Sequence, residues 1–317
     1  MPQPTKSDVH VDRPLTNMSV AFLQDQRDFV ASRVFPMLPV AKQSDQFFVY
    51  DKKQWFRSDS QKRAPGTPSA GSGYTLSTDS YRADVWAVHK DVDDQTRANA
   101  DVPINVDREA VDFVMQQQLI RKEKEWMAAY FTTGIWSSDF TPGTLWSAAS
   151  SDPIKDVRAQ KRVIFRQTGR MPNKLVVSPD VDDILKDHPT IVERIKYTQF
   201  ADVDNQILAR LLGLEEYLVA NAIEDMEPES EGGVEDLQHL ASKDALLVYA
   251  APRPGIMTPS AGYTFAWTGL FGASEQGNRI KRFRMEELAS DRVESEMAWD
   301  LKLVSPELGI FFNNAIA

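Results

Sequence analysis

Four histidines, His10, His89, His188 and His239, and no cysteine are the chain's resources for metal or nucleophile chemistry. Without a thiol, disulfides, thiolate zinc sites and cysteine nucleophiles are excluded. The histidines lie too far apart in sequence to point to a histidine-based metal site. Asp91-Val92-Asp93-Asp94 has the start of a calcium loop, yet Thr96 stands where glycine is needed and Val102 where the bidentate glutamate is needed. Helix capping or solvation accounts for those aspartates. Asp180, Asp182 and Asp183 fall in the first turn of an expected helix, where carboxylates favour the dipole. His188, before Pro189, reads as a helix-end residue rather than a base. Gly71-Ser72-Gly73 lacks the third glycine of a dinucleotide turn, and neither G-x-x-x-x-G-K-[ST] nor G-x-S-x-G occurs. The basic strand at 279–284 (Arg279, Lys281, Arg282, Arg284) lacks interleaved aromatics suited to stacking on bases, so it reads as solvated or subunit-facing. No catalytic, cofactor-binding or metal site is expected.

What remains is a scaffold, and it is organised around residues 105–133. That stretch has no Pro or Gly, Asn105 or Asp107 can cap it, and Gly134 stands where a left-handed stop belongs. As one helix it would span roughly 40 Å, against about 11–12 residues for a typical helix. Val106, Ala110, Phe113, Ile120, Met127 and Phe131 form one apolar seam; Met115, Leu119, Trp126 and Tyr130 form a second. Two seams predict a spine packed against two bodies.

The totals fit a globular chain. It has 317 residues, 42% apolar and 26% charged, enough for two or three domains. No apolar run approaches bilayer length and the N-terminus has no signal pattern, so synthesis in the cytosol is expected. A net charge of −10 argues against sequence-independent nucleic-acid binding by the body.

In chain order, the first fifteen residues read as an extended arm, followed by a helix from Thr16 to about Arg33, ended by Phe35-Pro36-Met37-Leu38-Pro39. Strand-like stretches begin at Phe47 and at Tyr81, with the Gly/Ser/Pro-rich 64–72 between them. This predicts a long two-stranded hairpin with a mobile loop, from Gln43 to Lys90. Such a ribbon is marginal alone, so something outside it must hold it. Lys52, Lys53, Arg57, Lys62 and Arg63 make it basic, whereas residues 215–236 carry nine acidic side chains and no Lys or Arg. Opposed patches suit contacts between copies, the hairpin of one lying on the acidic surface of the next. Beyond a Trp-, Gly- and Ser-containing connector (137–151), helix and strand alternate. Asp152-Pro153 opens a helix to about Thr168, Leu175–Val177 is a strand, and Ser178-Pro179 opens a helix to Asp187. Helices follow at 190–197 and 204–212, with strands at 217–219 and 246–249, giving an α/β body over about 151–250 whose acidic loop 227–235 lies on its surface. The remainder is strand-rich. Tyr263, Phe265 and Trp267 alternate with Thr264, Ala266 and Thr268, and the apolar 310–312 closes the pattern near the C-terminus. These strands are expected to pair with the region after Val85 and pack on the spine.

The order of elements, with RPLTNMSVAFLQ, VFPMLPV, QSDQFFVYDKKQWFR, RAPGTPSAG, HKDVDDQTRANAD and NKLVVSPDVDDILKDHPTIVERIKYTQ, resembles the major capsid proteins of tailed bacteriophages. The resemblance implies an α+β Hong Kong 97-type fold. It places an N-terminal arm and helix at 1–42, an extended hairpin loop at 43–84, a peripheral domain at 85–150 with spine 105–133, an axial domain at 151–250 and peripheral return strands at 251–317. It makes Lys52, Lys53, Trp55, Phe56, Arg57, Lys62 and Arg63 inter-subunit contacts, and sets Glu224, Asp225, Glu227, Glu229 and Glu231 near the axial domain as their counterpart. It implies a non-enzymatic coat protein of a double-stranded DNA phage, without cofactor, self-assembling as pentamers and hexamers in the virion after synthesis in the host cytoplasm. A short arm before Leu15 points to a separate scaffolding protein; a portal and a decoration protein are further implied partners, with DNA enclosed without specific binding and no membrane contact. An encapsulin-type compartment shell shares these features, and a soluble α/β enzyme with a hairpin lid is the third alternative.

Overall fold

The structure is a computed structural model and describes residues 24–100, 105–196, 203–226, 236–255, 257–269, 274 and 277–317. Its first strands are β1 (Met37–Val40), β2 (Ser44–Tyr50), β3 (Leu76–Arg82), β4 (Asp84–Asp93), β5 (Asp139–Phe140) and β6 (Lys174–Val177). Next come β7 (Glu216–Val219), β8 (Ile223–Asp225), β9 (Leu237–His239), β10 (Ala245–Val248) and β11 (Gly262–Trp267). The return is β12 (Asn278–Met285), β13 (Ser290–Leu303) and β14 (Gly309–Phe312). β13 is the backbone of one sheet: β4 runs antiparallel along one edge, β12 and β11 share the other, and β1 lies parallel to β11. A second sheet has the order β5-β14-β10-β6-β7. β2–β3 and β8–β9 are two-stranded ribbons.

The spine is a helix over Val106–Tyr130, and the Asn105 side chain accepts from the Arg108 amide at 3.1 Å. At 1.5 Å per residue it measures roughly 37 Å. It does touch two bodies, but the division runs along its length rather than around its circumference. Near its start, Ala110 and Val114 pack on Val92 and Val293 of the first sheet. Near its end, Trp126, Met127 and Phe131 enter a core shared by both sheets, with Met297 and Trp299 on one side and Val176, Leu218, Leu246 and Phe311 on the other. The buried line is Ala110, Val114, Gln118, Lys122 and Trp126, at steps of four, with Glu123 and Met127 beside it. Phe113, expected on a buried seam, is 47% exposed.

The polar members of that line are tied to specific partners. Gln118 Nε2 donates to the carbonyls of Trp86 and Ser295, bridging β4 and β13. The Glu123 carboxylate accepts the amides of Val30 and Ala31, both at 3.0 Å, and Lys122 Nζ donates to Ser32 Oγ at 2.8 Å. These contacts fix a segment expected to be a helix from Thr16 to Arg33. Its described part is a 3₁₀ turn at Gln26–Asp28 and one short helix at Ala31–Val34; residues 1–23, with the expected arm and Thr16, lie outside the described residues. A single helical turn does not nucleate itself; side chains of the spine satisfy its first amides instead.

The expected α/β body forms as local signals require. Helix Pro153–Thr168 is capped by Asp152 and stopped by Gly169 at φ +69°, and helices Pro179–Asp187, Pro189–Ile195 and Asn205–Leu212 follow. They cover one face of the second sheet, burying Leu175, Val177, Leu247, Ile310 and Phe312 with Trp146. That sheet draws two of its strands from outside residues 151–250. β14, expected among the peripheral return strands, pairs with β10, and β5 comes from the connector. Apolar strands from distant parts of the chain close one layer because each would otherwise expose both faces.

Three further expectations change. The stretch expected as one strand from Tyr81 to Val88 is split: β3 ends the hairpin at Arg82 and β4 begins the sheet at Asp84. Residues 262–266 are buried on both faces, Thr264 included, because its hydroxyl donates to the Phe35 carbonyl. The basic strand β12 stays largely exposed, as at Arg282 and Arg284, but its charges are paired. Arg279 and Lys281 pair with Glu296, while Arg282 and Arg284 join Arg97, Asp94, Asp107 and Asp291 in a network beside the spine's first turn.

Phe312, fully buried against Trp146 and Phe140, should cost about 3–5 kcal/mol when changed to Ala, read as a lowered urea midpoint. Burial pushes Glu123 up to about 7, against the two amides and Lys122, which favour its charge; burial likewise brings Lys122 down to about 8. Glu123 therefore holds its proton more tightly folded than unfolded, and its contribution to stability grows as pH falls from about 7 towards the ordinary carboxyl value. Relative to Glu123→Gln, the native chain should gain melting temperature between about pH 7 and about pH 5; parallel curves would mean that the carboxyl is solvated.

Candidate assembly surface

The hairpin projects from a well-packed root. Tyr81 stacks on Phe265 with centroids 4.4 Å apart, Phe47 packs on the same ring at 5.4 Å, and the Arg82 amide donates to Asp300. Lys302 adds an ion pair to Asp79 at 3.2 Å. The outside support that the ribbon requires thus comes partly from its own chain.

At the far end, Asp51 accepts from the Lys53 amide and caps the short helix Lys52–Trp55. Tyr50, Trp55 and Tyr74 form a triangle with centroid separations of 5.5 to 6.1 Å. Gln54 bonds to Thr75 across the loop, Ser72 donates to Asp59, and Arg63 donates to the Thr67 carbonyl. The hairpin nevertheless exposes Phe48, Trp55, Phe56, Tyr74 and Leu76, each by nearly half or more. Large apolar side chains gathered on one projection mark a surface that something else covers.

Within its own chain the hairpin meets partners other than the acidic residues expected on a neighbouring copy. Lys52 pairs with Glu307 at 2.6 Å, Arg57 with Asp59 at 3.5 Å, and Lys53 and Lys62 are exposed. Of the acidic residues, Glu224 pairs with Lys124 of the spine at 2.7 Å, and Asp225 accepts from the Asp236 amide. Glu227, Glu229 and Glu231 lie outside the described residues. Lys52, Trp55 and Phe56 are thus brought together on one tip, whereas Glu224 and Asp225 sit on a ribbon braced to the spine. Gln24 ties that ribbon to the N-terminal segment, giving and receiving a hydrogen bond at Ile223.

The residues first considered for chemistry have structural roles. Ser151 Oγ and His188 Nε2 share a hydrogen bond at 3.0 Å, but both residues are buried and His188 Nδ1 is engaged by Thr190. His188 caps helix Pro189–Ile195. Asp182 is buried and accepts from the Tyr217 hydroxyl and Lys186; burial, with Asp182 beside it, holds the Tyr217 phenol well above its ordinary range. Asp93 caps helix Asp94–Asn99, and Asp91 is engaged by Arg292. Among the described residues no group of three His, Cys, Asp or Glu could hold a metal ion, and no helix is long and apolar enough to cross a membrane. Sequence reasoning missed Glu307 as the partner of Lys52, since nothing local marks a pair separated by 255 positions.

No family model matches the chain. It is 25% identical over 319 residues to the major capsid protein of Pseudomonas phage JBD67, covering 97% of each chain. It is 22% identical over 219 residues to the major capsid protein of Burkholderia phage BcepMu, covering 67% of this chain and 69% of the relative. Among solved structures, a phage-related protein of Bordetella bronchiseptica RB50 superposes with a TM-score of 0.70 at 21% identity, over 92% of this chain and 94% of that one. The capsid of the cyanophage P-SCSP1u gives 0.63 at 10% identity, over 96% and 93%. The SrpI encapsulin of Synechococcus elongatus PCC 7942 gives 0.56 at 13% identity, over 95% and 93%. The chain has the α+β Hong Kong 97 fold of phage capsids and resembles phage major capsid proteins along nearly its whole length.

Proposed function

We propose that this chain is the major capsid protein of a tailed double-stranded DNA phage, a structural protein that assembles with copies of itself into the icosahedral shell of the virion. The observation that carries the reading is the match to a phage major capsid protein over 97% of both chains, on a fold held by phage capsids. The architecture supports it. A rigid core bears a projecting hairpin with uncovered aromatic residues, and closed symmetry lets many modest contacts add up to a persistent shell. The compartment shell of an encapsulin shares the fold, but the sequence relatives favour the phage reading.

Within that reading, residues 43–84 are the extended loop that reaches a neighbouring subunit. The spine and the β13 sheet form the peripheral part, and the second sheet with its helices clusters around the five- and six-fold axes. Lys52, Lys53, Trp55, Phe56, Arg57, Lys62 and Arg63 face another copy. The chain works without catalysis or cofactor. It assembles in the host cytoplasm around a separate scaffolding protein, joins a portal and a decoration protein, and encloses DNA without binding it specifically.

Electron microscopy of the assembled protein should show closed particles; a small oligomer of constant size at all concentrations, scaffolding protein included, would contradict the reading. Particles from the phage source should contain double-stranded DNA, where an encapsulin would contain a cargo protein. Reversing Lys52, Lys53 and Arg57 to Glu should reduce particle yield while the dispersed subunit keeps its stability within about 0.5 kcal/mol, measured by urea unfolding.

A further inference from the structure

The two ends of the hairpin are held in different ways. At the root, Tyr81 is buried against Phe265 and the β3 backbone is bonded to Asp300. At the tip, Lys52 and Glu307 form an ion pair whose side chains remain 40% and 39% exposed. A pair that stays wet can open without leaving a charge stranded in a dry interior. The second tip contact is Phe56, whose ring lies against Gly169: a Cβ there would come within 3.2 Å of it. Gly169 is the left-handed stop of helix Pro153–Thr168, so this part of the seat is bare backbone. Phe56 remains 67% exposed while resting there, and Phe165 and Met171, near Gly169 in sequence, are each 50% exposed. The contact is in place but unfinished.

The tip also carries its own internal structure. The Tyr50–Trp55–Tyr74 triangle, the Gln54–Thr75 bond and the Asp51 cap all lie within the hairpin. Nothing in them depends on Glu307 or Gly169. A unit braced internally, fixed at its root and weakly seated at its end can leave one copy of the seat for another with little rearrangement.

We propose that Glu307 and Gly169 form an exchangeable seat, filled in the free subunit by the chain's own hairpin tip and in the shell by the tip of a neighbouring copy. The proposal rests on the shell reading above and gives the extended loop a specific landing site. It differs from the pairing with the acidic ribbon that charge alone predicts. The free subunit covers its own landing site, which holds back association until many copies compete for it.

The absence of cysteine makes the test clean. In the double variant Lys52→Cys with Glu307→Cys, a short bismaleimide should join the two thiols within one chain in dispersed subunits, leaving a monomer band on a denaturing gel. In intact particles it should produce a ladder of joined chains that neither single variant gives. Particles whose cross-links stay within one chain would overturn the exchange while leaving the shell reading intact. A native chain that forms no particles even in the presence of its scaffolding protein overturns the shell reading, and the exchange with it. Should the double variant fail to assemble, charge reversal decides the matter. Lys52→Glu and Glu307→Lys chains, each losing particles alone, should regain them when co-expressed, because each tip then meets a seat of opposite sign on the other chain. Recovery only when both changes are in one chain places the contact within a subunit and overturns the proposal.

Discussion

A glutamate with no water to face holds the N-terminal segment in place on the spine. Glu123, 1% exposed, gives both carboxylate oxygens to consecutive amides of the N-terminal segment, while Lys122 takes Ser32 and Gln118 takes carbonyls of two adjacent strands. A buried polar group left without its partner costs about 1–3 kcal/mol. The spine therefore accepts one axial position against the β13 sheet and one placement of residues 30–32. Apolar contacts alone tolerate sliding by a turn; these do not. The aromatic core then closes over a fixed frame, with Phe35 packed on Trp126 and Tyr130. Gly262 keeps that closure possible, because a Cβ there would come 2.5 Å from the Phe35 ring.

From this frame the two sheets take their places. The first hangs on β13; the second presents one face to its own helices and the other to the end of the spine. The α/β body is consequently not an independent bead inserted into a host, since β5 and β14 return to complete its sheet. Two ribbons stand outside the sheets: the hairpin with its loosely seated tip, and the β8–β9 ribbon braced by Lys124 and Gln24.

Where structure follows from neighbours in sequence, it was legible. Asp152, Pro153 and Gly169 mark both ends of one helix, Ser178-Pro179 marks the start of the next and His188-Pro189 its end, because caps and prolines act within a turn. The spine's existence was equally clear from a long run without breakers. Its buried face was not, because the line of steps of four from Ala110 passes through Gln118 and Lys122, which an apolar count discards. β14 reads as a strand, but its sheet is chosen by partners far away in the chain. The pairing of β12's charges escaped notice for the same reason, as their carboxylates come from β13, from the helix after β4 and from the spine's first turn. At the hairpin, the residue types and their clustering could be read; the Glu307 and Gly169 beneath them could not.

The resulting molecule is one whose interior is specified by a few buried polar contacts and whose exterior leaves aromatic surface exposed on the hairpin. Amide hydrogen exchange tests the first half directly. The amides of Val30 and Ala31 should exchange slowly in the native chain and rapidly in Glu123→Ala, while the amides of β6 and β10 stay protected in both. If Val30 and Ala31 exchange in the native chain as fast as the exposed hairpin loop does, Glu123 does not hold the N-terminal segment, and the frame described here is wrong.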